Sequence, residues 1–520
     1  MENSFPAGFR RRMDALLGSA ASDFYEGYTL PLRRGMRANP LKCSPERLLA
    51  LFPGKLTPSP FALDSFYLDD PVFRAGADPL HHAGAYYMQE PSASSAVTLL
   101  APRPGERVLD LCAAPGGKST QIAAALQGEG LLWSNEYVRA RAQILLQNLE
   151  RCGVRNAVVS SRDAPSLCAG LSGFFDAALV DAPCSGEGMF RKEPAALEQW
   201  SEENIRLCAA RQEEILWAAA GAVVPGGRLV YSTCTFAPEE NECLIARFLA
   251  AHPDYELLDA ALPFGRPGFS REIVRSFSPD LPDPGVPLER CRRILPGDGG
   301  EGHFLALLRR REVPSEESLV GKSPAGEFPA LLQPEGIHIQ SGKNGGTPGR
   351  RIRLGQKGAR ESLGLREAKT KKGAKRLNSS PTMDTYSIQF QELYNLCFSE
   401  SLWGEPTPVN DILRLLPAGL PPLAGLGVLA AGVAAAELLP GRLEPCHALF
   451  MASQAEDCRS LLDLSRGDPR LTAFLRGETV NAPGCSGWTA VAVEGVVTGF
   501  GKAVGGTLKN RYPKGLRLRG

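Results

Sequence analysis

Between residues 76 and 310, short apolar runs alternate with segments of helical periodicity, and few folds accommodate that alternation. The runs are RVLDLC, LLWSNE, NAVVSS, FDAALVD, GRLVYST and HFLALLRR. Among them lie KSTQIAAALQ, VRARAQILLQNLERCG, EENIRLCAARQEEILWAAAGAV and PEENECLIARFLAAH. Strand and helix in turn predict a doubly wound parallel α/β sheet. Strands apolar along their length predict helices over both faces.

The flanks read differently, and 520 residues exceed what one core supports. Residues 1–75 mix a helix-like start, Phe9 to Leu17, with RANPLK and with SPERLLALF, where Ser44-Pro45-Glu46 opens a helix. Residues 311–382, rich in Gly, Pro, Ser and Lys, read as a disordered linker. Residues 383–520 read as a second folded unit, with helices early and the β-like WTAVAVEGVVTGFGKAV late. The most apolar stretch, Leu423 to Leu439, is too short for a bilayer and carries Glu437, so no membrane span is expected. The first residues lack a signal-peptide pattern. Thirteen cysteines, an odd number without zinc spacing, predict free thiols in a reducing, cytoplasmic compartment and no metal; His81-His82 stands alone.

Net charge is only +1, yet Ser341 to Arg376 holds twelve Lys/Arg against two acids, and Lys502 to Arg519 holds six and none. That segregation suits a polyanion, although a solvated basic linker explains the first stretch equally well.

In an open α/β sheet, ligands bind at the carboxyl ends of the strands. RVLDLC runs into AAPGGKSTQ, where Pro115, Gly116 and Gly117 turn the chain into a helix. This is neither the dinucleotide GxGxxG nor a phosphate-gripping GxxxxGK[ST]. The next strand ends in Glu136, placed for ribose hydroxyls; the third is followed by Asp163, placed for an adenine amino group; the fourth ends in Asp181. Each acid alone is more often a helix cap or a surface charge. Together, with a Gly-rich first turn and no phosphate grip, they suggest S-adenosylmethionine.

Two cysteines follow strands at the same end, in Asp181-Ala182-Pro183-Cys184 and Ser232-Thr233-Cys234-Thr235. Methyl transfer to oxygen or nitrogen needs no thiol. Transfer to an unactivated ring carbon such as cytosine C5 does, because a thiolate adding to C6 makes C5 nucleophilic. The alternative is two buried packing cysteines.

The motifs DLCAAPGGKST (Asp110–Thr120), DAPCSGEGMFRKEP (Asp181–Pro194), STCTFAPEENE (Ser232–Glu242) and YYMQEPSA (Tyr86–Ala93) resemble the Nol/Nop/Sun family of RNA cytosine-5 methyltransferases across residues 1–310. The resemblance implies a Rossmann-like class I S-adenosylmethionine-dependent domain at 76–310. It implies Cys234 as nucleophile, Cys184 as the thiol assisting product release, and Asp181 positioning the base. Cys112, Ala113, Ala114, Pro115, Gly116, Gly117, Lys118, Glu136, Asp163 and Asp181 would surround the cofactor. DNA enzymes place the nucleophile in their Pro-Cys motif, so the second cysteine motif favours RNA.

GRLEPCHALFMA, LTAFLRGE, GWTAVAVEGVVTGFGK and LKNRYPKGLR resemble the tail of the family's bacterial small-subunit ribosomal RNA enzymes. That implies a C-terminal α+β, PUA-like RNA-binding domain, in which Lys509, Arg511, Lys514, Arg517 and Arg519 would meet phosphates and Tyr512 would stack on a base. Arg37 of RANPLK and the cluster Arg10, Arg11, Arg12 resemble the family's N-terminal α+β RNA-binding unit. The expectation is a monomeric 16S ribosomal RNA methyltransferase acting on naked RNA or the small subunit, with the decoding-region helix as target. The alternatives are a transfer-RNA enzyme of the same chemistry and a ribosome-assembly factor whose catalysis is dispensable.

Overall fold

The computed structural model describes residues 5–312 and 383–518. The segment expected as a linker lies outside these beyond its first two residues, as does Arg519. Strands β1 (Arg34–Ala38), β2 (Leu56–Pro58), β3 (Ser65–Leu68) and β4 (Tyr86–Met88) form an antiparallel sheet in the order β2-β3-β1-β4. The helix Pro45–Leu51 between β1 and β2 is capped as expected, the Ser44 side chain accepting from the Arg47 amide. Because β4 pairs with β1, this first sheet runs past the boundary expected at residue 75.

The central sheet is built on β5 (Arg107–Asp110), β6 (Leu131–Asn135), β7 (Ala157–Ser160), β8 (Phe175–Asp181) and β9 (Val223–Thr233), all parallel in the spatial order β9-β8-β5-β6-β7. The helices Gly117–Leu126, Arg139–Arg151, Ala164–Gly170 and Glu202–Ala222 connect them. Every residue of β6 and β7 is buried, as the unbroken apolar runs require. Then come β10 (Tyr255–Leu258), β11 (Arg266–Pro267), β12 (Arg292–Ile294) and β13 (His303–Arg310). Here the sheet departs from the all-parallel expectation. β13 lies antiparallel to β9, with β10 and β12 antiparallel on its other side. The chain between β10 and β13 contains only short helical turns and short strands, so no helix carries it back across the sheet to begin another parallel strand.

The C-terminal half is strand-rich earlier than its pattern suggested. One helix, Met383–Cys397, is followed by β14 (Glu405–Val409), β15 (Ile412–Leu416), β16 (Val428–Ala431), β17 (Val433–Leu439) and β18 (Arg442–Pro445). The apolar stretch Leu423–Leu439 is therefore two strands. β17 sits in a four-stranded sheet, order β14-β15-β17-β18, while β16 leaves it to pair antiparallel with β7 at the edge of the central sheet. Finally β19 (Leu461–Leu464), β20 (Val480–Asn481), β21 (Gly487–Val493), β22 (Val496–Val504) and β23 (Thr507–Asn510) form a sheet in the order β19-β21-β22-β23-β20. One apolar core joins this sheet to the first: Met36, Leu48, Phe66 and Tyr86 pack in a single cluster with Leu471, Phe474, Val491 and Leu508.

Candidate active site at the carboxyl ends of the central strands

Three strands of the central sheet bring together the residues expected around the cofactor. The loop after β5 turns at Gly116, whose φ of 115° is open to glycine and strained for other residues, and the helix Gly117–Leu126 starts at once. Backbone partners fix it: Ala113 N–H donates to Asn135 O at 2.8 Å, Arg141 donates to Ala114 O at 3.0 Å and Asn148 to Pro115 O at 2.8 Å. Glu136, after β6, is 4% exposed; it accepts from the Val138 amide at 2.9 Å and pairs with Arg141 at 3.2 Å. A carboxylate keeps lone pairs beyond those two contacts. Asp163, after β7, caps the helix Ala164–Gly170 through the Ser166 amide at 2.9 Å, which leaves its second oxygen outward beside Arg162.

Asp110 was not singled out from sequence, yet it ends β5 fully buried. Its Oδ2 accepts from Ser119 at 2.6 Å, Oδ1 has no partner, and burial pushes its pKa up to about 7. An orphaned buried carboxylate oxygen beside Glu136, with no phosphate-gripping loop, fits a ligand carrying an amine, ribose hydroxyls and a sulfonium. Lys118, the cation of this turn, is already committed, its Nζ lying 2.7 Å from Asp181 Oδ2. Burial pushes the Lys118 ammonium down and the Asp181 carboxyl up, but their pairing outweighs both, leaving the lysine above its ordinary range and the aspartate below. Asp181 Oδ1 accepts from Ser232 at 2.7 Å and lies 3.9 Å from His303 Nε2.

Cys184 and Cys234 leave the ends of the adjacent parallel strands β8 and β9, and their sulfurs are 3.3 Å apart. The hydrogen bond to Cys234 and then burial push the Cys184 thiol well above its ordinary range. Behind the thiols, a buried polar network joins the two loops. Glu240 accepts from the Ser185 amide at 3.0 Å, from Gln212 at 2.7 Å and from the Ser185 hydroxyl, which also meets Thr235 at 2.8 Å. Glu187 accepts from Thr235 at 2.9 Å, the Phe236 amide at 2.9 Å and Trp200 at 2.8 Å. The Gly188 amide donates to Cys234 O at 2.8 Å, and a Cβ on Gly188 would sit 2.8 Å from that same oxygen, so only glycine allows this approach. Glu187 and Glu240 lie inside the two quoted motifs but were not assigned there, because nothing local marks a glutamate as buried.

The RNA contacts expected from sequence fare unevenly. Arg37 is 1% exposed: it donates to Gln89 at 2.8 Å, to Gly117 O at 2.9 Å and to Thr120 at 2.7 Å, tying the first sheet to the cofactor turn, so it is no phosphate ligand. Tyr512 is 2% exposed, its ring packed edge-on against His447 and Phe474, and it cannot stack on a base. Arg12 pairs with Glu239 at 2.6 Å and Arg517 folds back on Tyr512 O, so both are taken. Arg10 lies over the Tyr25 ring at 5.1 Å. Arg11, Lys509, Arg511 and Lys514 are exposed, with Arg511 3.0 Å from Glu444. Among the described residues no group of three or more His, Cys, Asp or Glu could hold a metal, and no helix is long and apolar enough to cross a membrane.

A Rossmann-like sheet with this Gly-rich turn and these acids at its carboxyl edge defines a class I, S-adenosylmethionine-dependent methyltransferase. Residues 97–309 match the family described as 16S rRNA methyltransferase RsmB/F, residues 5–91 the N-terminal domain of 16S rRNA methyltransferase RsmF, and residues 462–518 the methyltransferase RsmF PUA domain. The Escherichia coli protein named ribosomal RNA small subunit methyltransferase F is 40% identical over 340 residues, which are 62% of this chain and 67% of that one. Its Pectobacterium atrosepticum namesake is 36% identical over 339 residues, 62% of this chain and 66% of that one. The chain belongs to this 16S rRNA methyltransferase family and carries its C-terminal PUA domain. Among solved structures, a methyltransferase homolog from Pyrococcus horikoshii is 30% identical, with a TM-score of 0.52 over 59% of this chain and 95% of that one. The structure of NSun6 from Pyrococcus horikoshii with SFG, 22% identical, shares the fold at a TM-score of 0.50 over 60% of this chain and 100% of that one.

Proposed function

We propose that this protein methylates C5 of cytosine in 16S ribosomal RNA through a covalent bond between Cys234 and C6 of the base. The observation that carries the reading is the pair of sulfurs 3.3 Å apart at the ends of adjacent strands, beside Asp181, which pairs at 2.7 Å with Lys118 of the turn after β5. Bound S-adenosylmethionine supplies an electrophilic methyl group. The thiolate of Cys234 adds to C6 of the base. The addition moves an electron pair onto C5, which would make that carbon nucleophilic toward the methyl group that the cofactor supplies when bound. Asp181, held ionised by Lys118, accepts from the pyrimidine edge and favours a proton at N3. Cys184 then assists release: the C5 proton passes to water, its C–H electrons re-form the C5–C6 double bond, and Sγ of Cys234 departs with the C6–S electrons as thiolate. Glu136 and Asp163 would receive the ribose and adenine of the cofactor, with residues Cys112 to Lys118 walling it. The N-terminal unit and the PUA domain would hold RNA while the target base is turned out of its stack, at a cost of roughly a few kcal/mol. We place the protein, as a monomer, in the cytoplasm, where its ribosomal substrate is.

The test is adduct trapping. Cys184→Ala is expected to accumulate a protein–RNA species that survives a denaturing gel, and Cys234→Ala to form none; both stop turnover. Adduct with Cys234→Ala alone would reverse the two roles.

A further inference from the structure

His303 begins β13 beside the thiols, and sequence reasoning passed over it. Its side chain is 5% exposed, yet neither Nδ1 nor Nε2 has a hydrogen-bond partner. Leaving a buried polar group unsatisfied is costly, so such a group in a packed site calls for a partner that arrives later. Burial, then the Lys118 cation, pushes the imidazole down to about 4, so at neutral pH it is uncharged, with one nitrogen donating and the other accepting.

Its place in the sheet says which partner. The order β13-β9-β8-β5-β6-β7 puts the cofactor turn at β5 and its acids after β6 and β7. Asp181 ends β8, Cys184 follows it, Cys234 follows β9, and His303 lies one strand further from the cofactor side. A Cβ on Gly188 of the Cys184 loop would approach the backbone of Gly302, next to His303, at 3.2 Å. The imidazole therefore borders the half of the pocket that holds the methyl acceptor, 3.9 Å from Asp181.

We propose that His303 contacts the target pyrimidine directly, its ring N–H supplying a donor to a base oxygen beside Asp181. Ionised Asp181 accepts only, and Lys118 is already spoken for, so without His303 this edge of the pocket lacks a free donor among the side chains named here. The inference rests on the reading of the pocket as a cytosine site.

The test compares His303→Phe, which keeps an aromatic ring without nitrogens, with His303→Gln, which restores a neutral donor and acceptor. Full-length protein is assayed with 16S ribosomal RNA for methylation and, on a Cys184→Ala background, for adduct. His303→Phe is expected to lower kcat/KM for RNA roughly tenfold or more, and adduct in proportion, with affinity for S-adenosylmethionine unchanged and Tm at or above wild type. His303→Gln is expected to recover activity to within about threefold of wild type. His303→Phe at wild-type activity, or equal losses in both variants together with weakened cofactor binding, overturns the proposal. If the wild-type protein yields no 5-methylcytosine, the reading of the function fails instead, and the two failures are distinguishable.

Discussion

At the residue scale, Glu240 shows how a buried acid can hold two reactive loops together. Burial pushes its pKa up to about 7 from an ordinary value near 4.5, so around neutrality it carries a proton about half the time. A folded pKa above the unfolded one contributes stability that is fully present below about 4.5 and is lost as pH rises through about 7. Protonated Glu240 can donate to the Ser185 hydroxyl while still accepting from the Ser185 amide and Gln212, and glutamine mimics that form. Glu240→Gln should therefore match wild type in Tm at pH 5 and exceed it at pH 8, read by thermal melts across pH. Asp110, raised to about 7 by its own burial, leaves a residual slope in the variant. The reverse order, wild type ahead at pH 8, would mean that the network depends on the carboxylate. The thiols, Asp181 and the Pro115-Gly116-Gly117 turn were legible because chemistry and spacing coincide in short motifs. His303 was not: a lone histidine carries no pattern, and its neighbours come from strands distant in sequence.

At the element scale, alternation of strand and helix was readable from β5 to β9, because strands buried on both faces are apolar throughout. Direction was not readable. Nothing local in HFLALLRR says that β13 runs against β9, since periodicity reports burial and not orientation. The same limit hid β16: an apolar run fits a helix and a strand alike, and only the free edge of β7 decides where it docks. Gly188 sits close against Cys234, where even one methyl meets a backbone oxygen. Gly188→Ala is expected to push the two cysteine loops apart and lower methylation roughly tenfold or more, while cofactor affinity, set on the β5–β6–β7 side, stays within about twofold. Calorimetric titration of S-adenosylmethionine beside a methylation assay checks this; wild-type activity would show that the loops need not be so close.

At the scale of the whole molecule, the first sheet and the PUA sheet share one core and are bridged by buried Lys42, which donates to Val497 O at 2.8 Å. That junction was invisible in a sequence whose two halves meet only after folding. Contacts elsewhere inside the protein took up other cations expected on RNA, namely Arg37, Arg12 and Arg517. Lys509 and Lys514 are exposed, as is Arg511, which pairs with Glu444 at 3.0 Å. Replacing all three by alanine should weaken RNA binding and reduce the slope of log K against log salt by up to about 2. Tyr512→Phe, at a buried ring, should leave affinity unchanged. Filter binding at several salt concentrations separates these outcomes, and an unchanged slope in the triple variant would move the RNA path elsewhere.

Bisulfite sequencing of ribosomal and transfer RNA is the most direct check, made on cells carrying the wild-type protein, the Cys234→Ala variant or none. Protected cytosines present in 16S ribosomal RNA with the wild type, and lost in both other strains while transfer RNA is unaffected, are the predicted result. Protection that persists with Cys234→Ala, or that disappears from transfer RNA instead, would contradict the assignment of nucleophile or of substrate respectively.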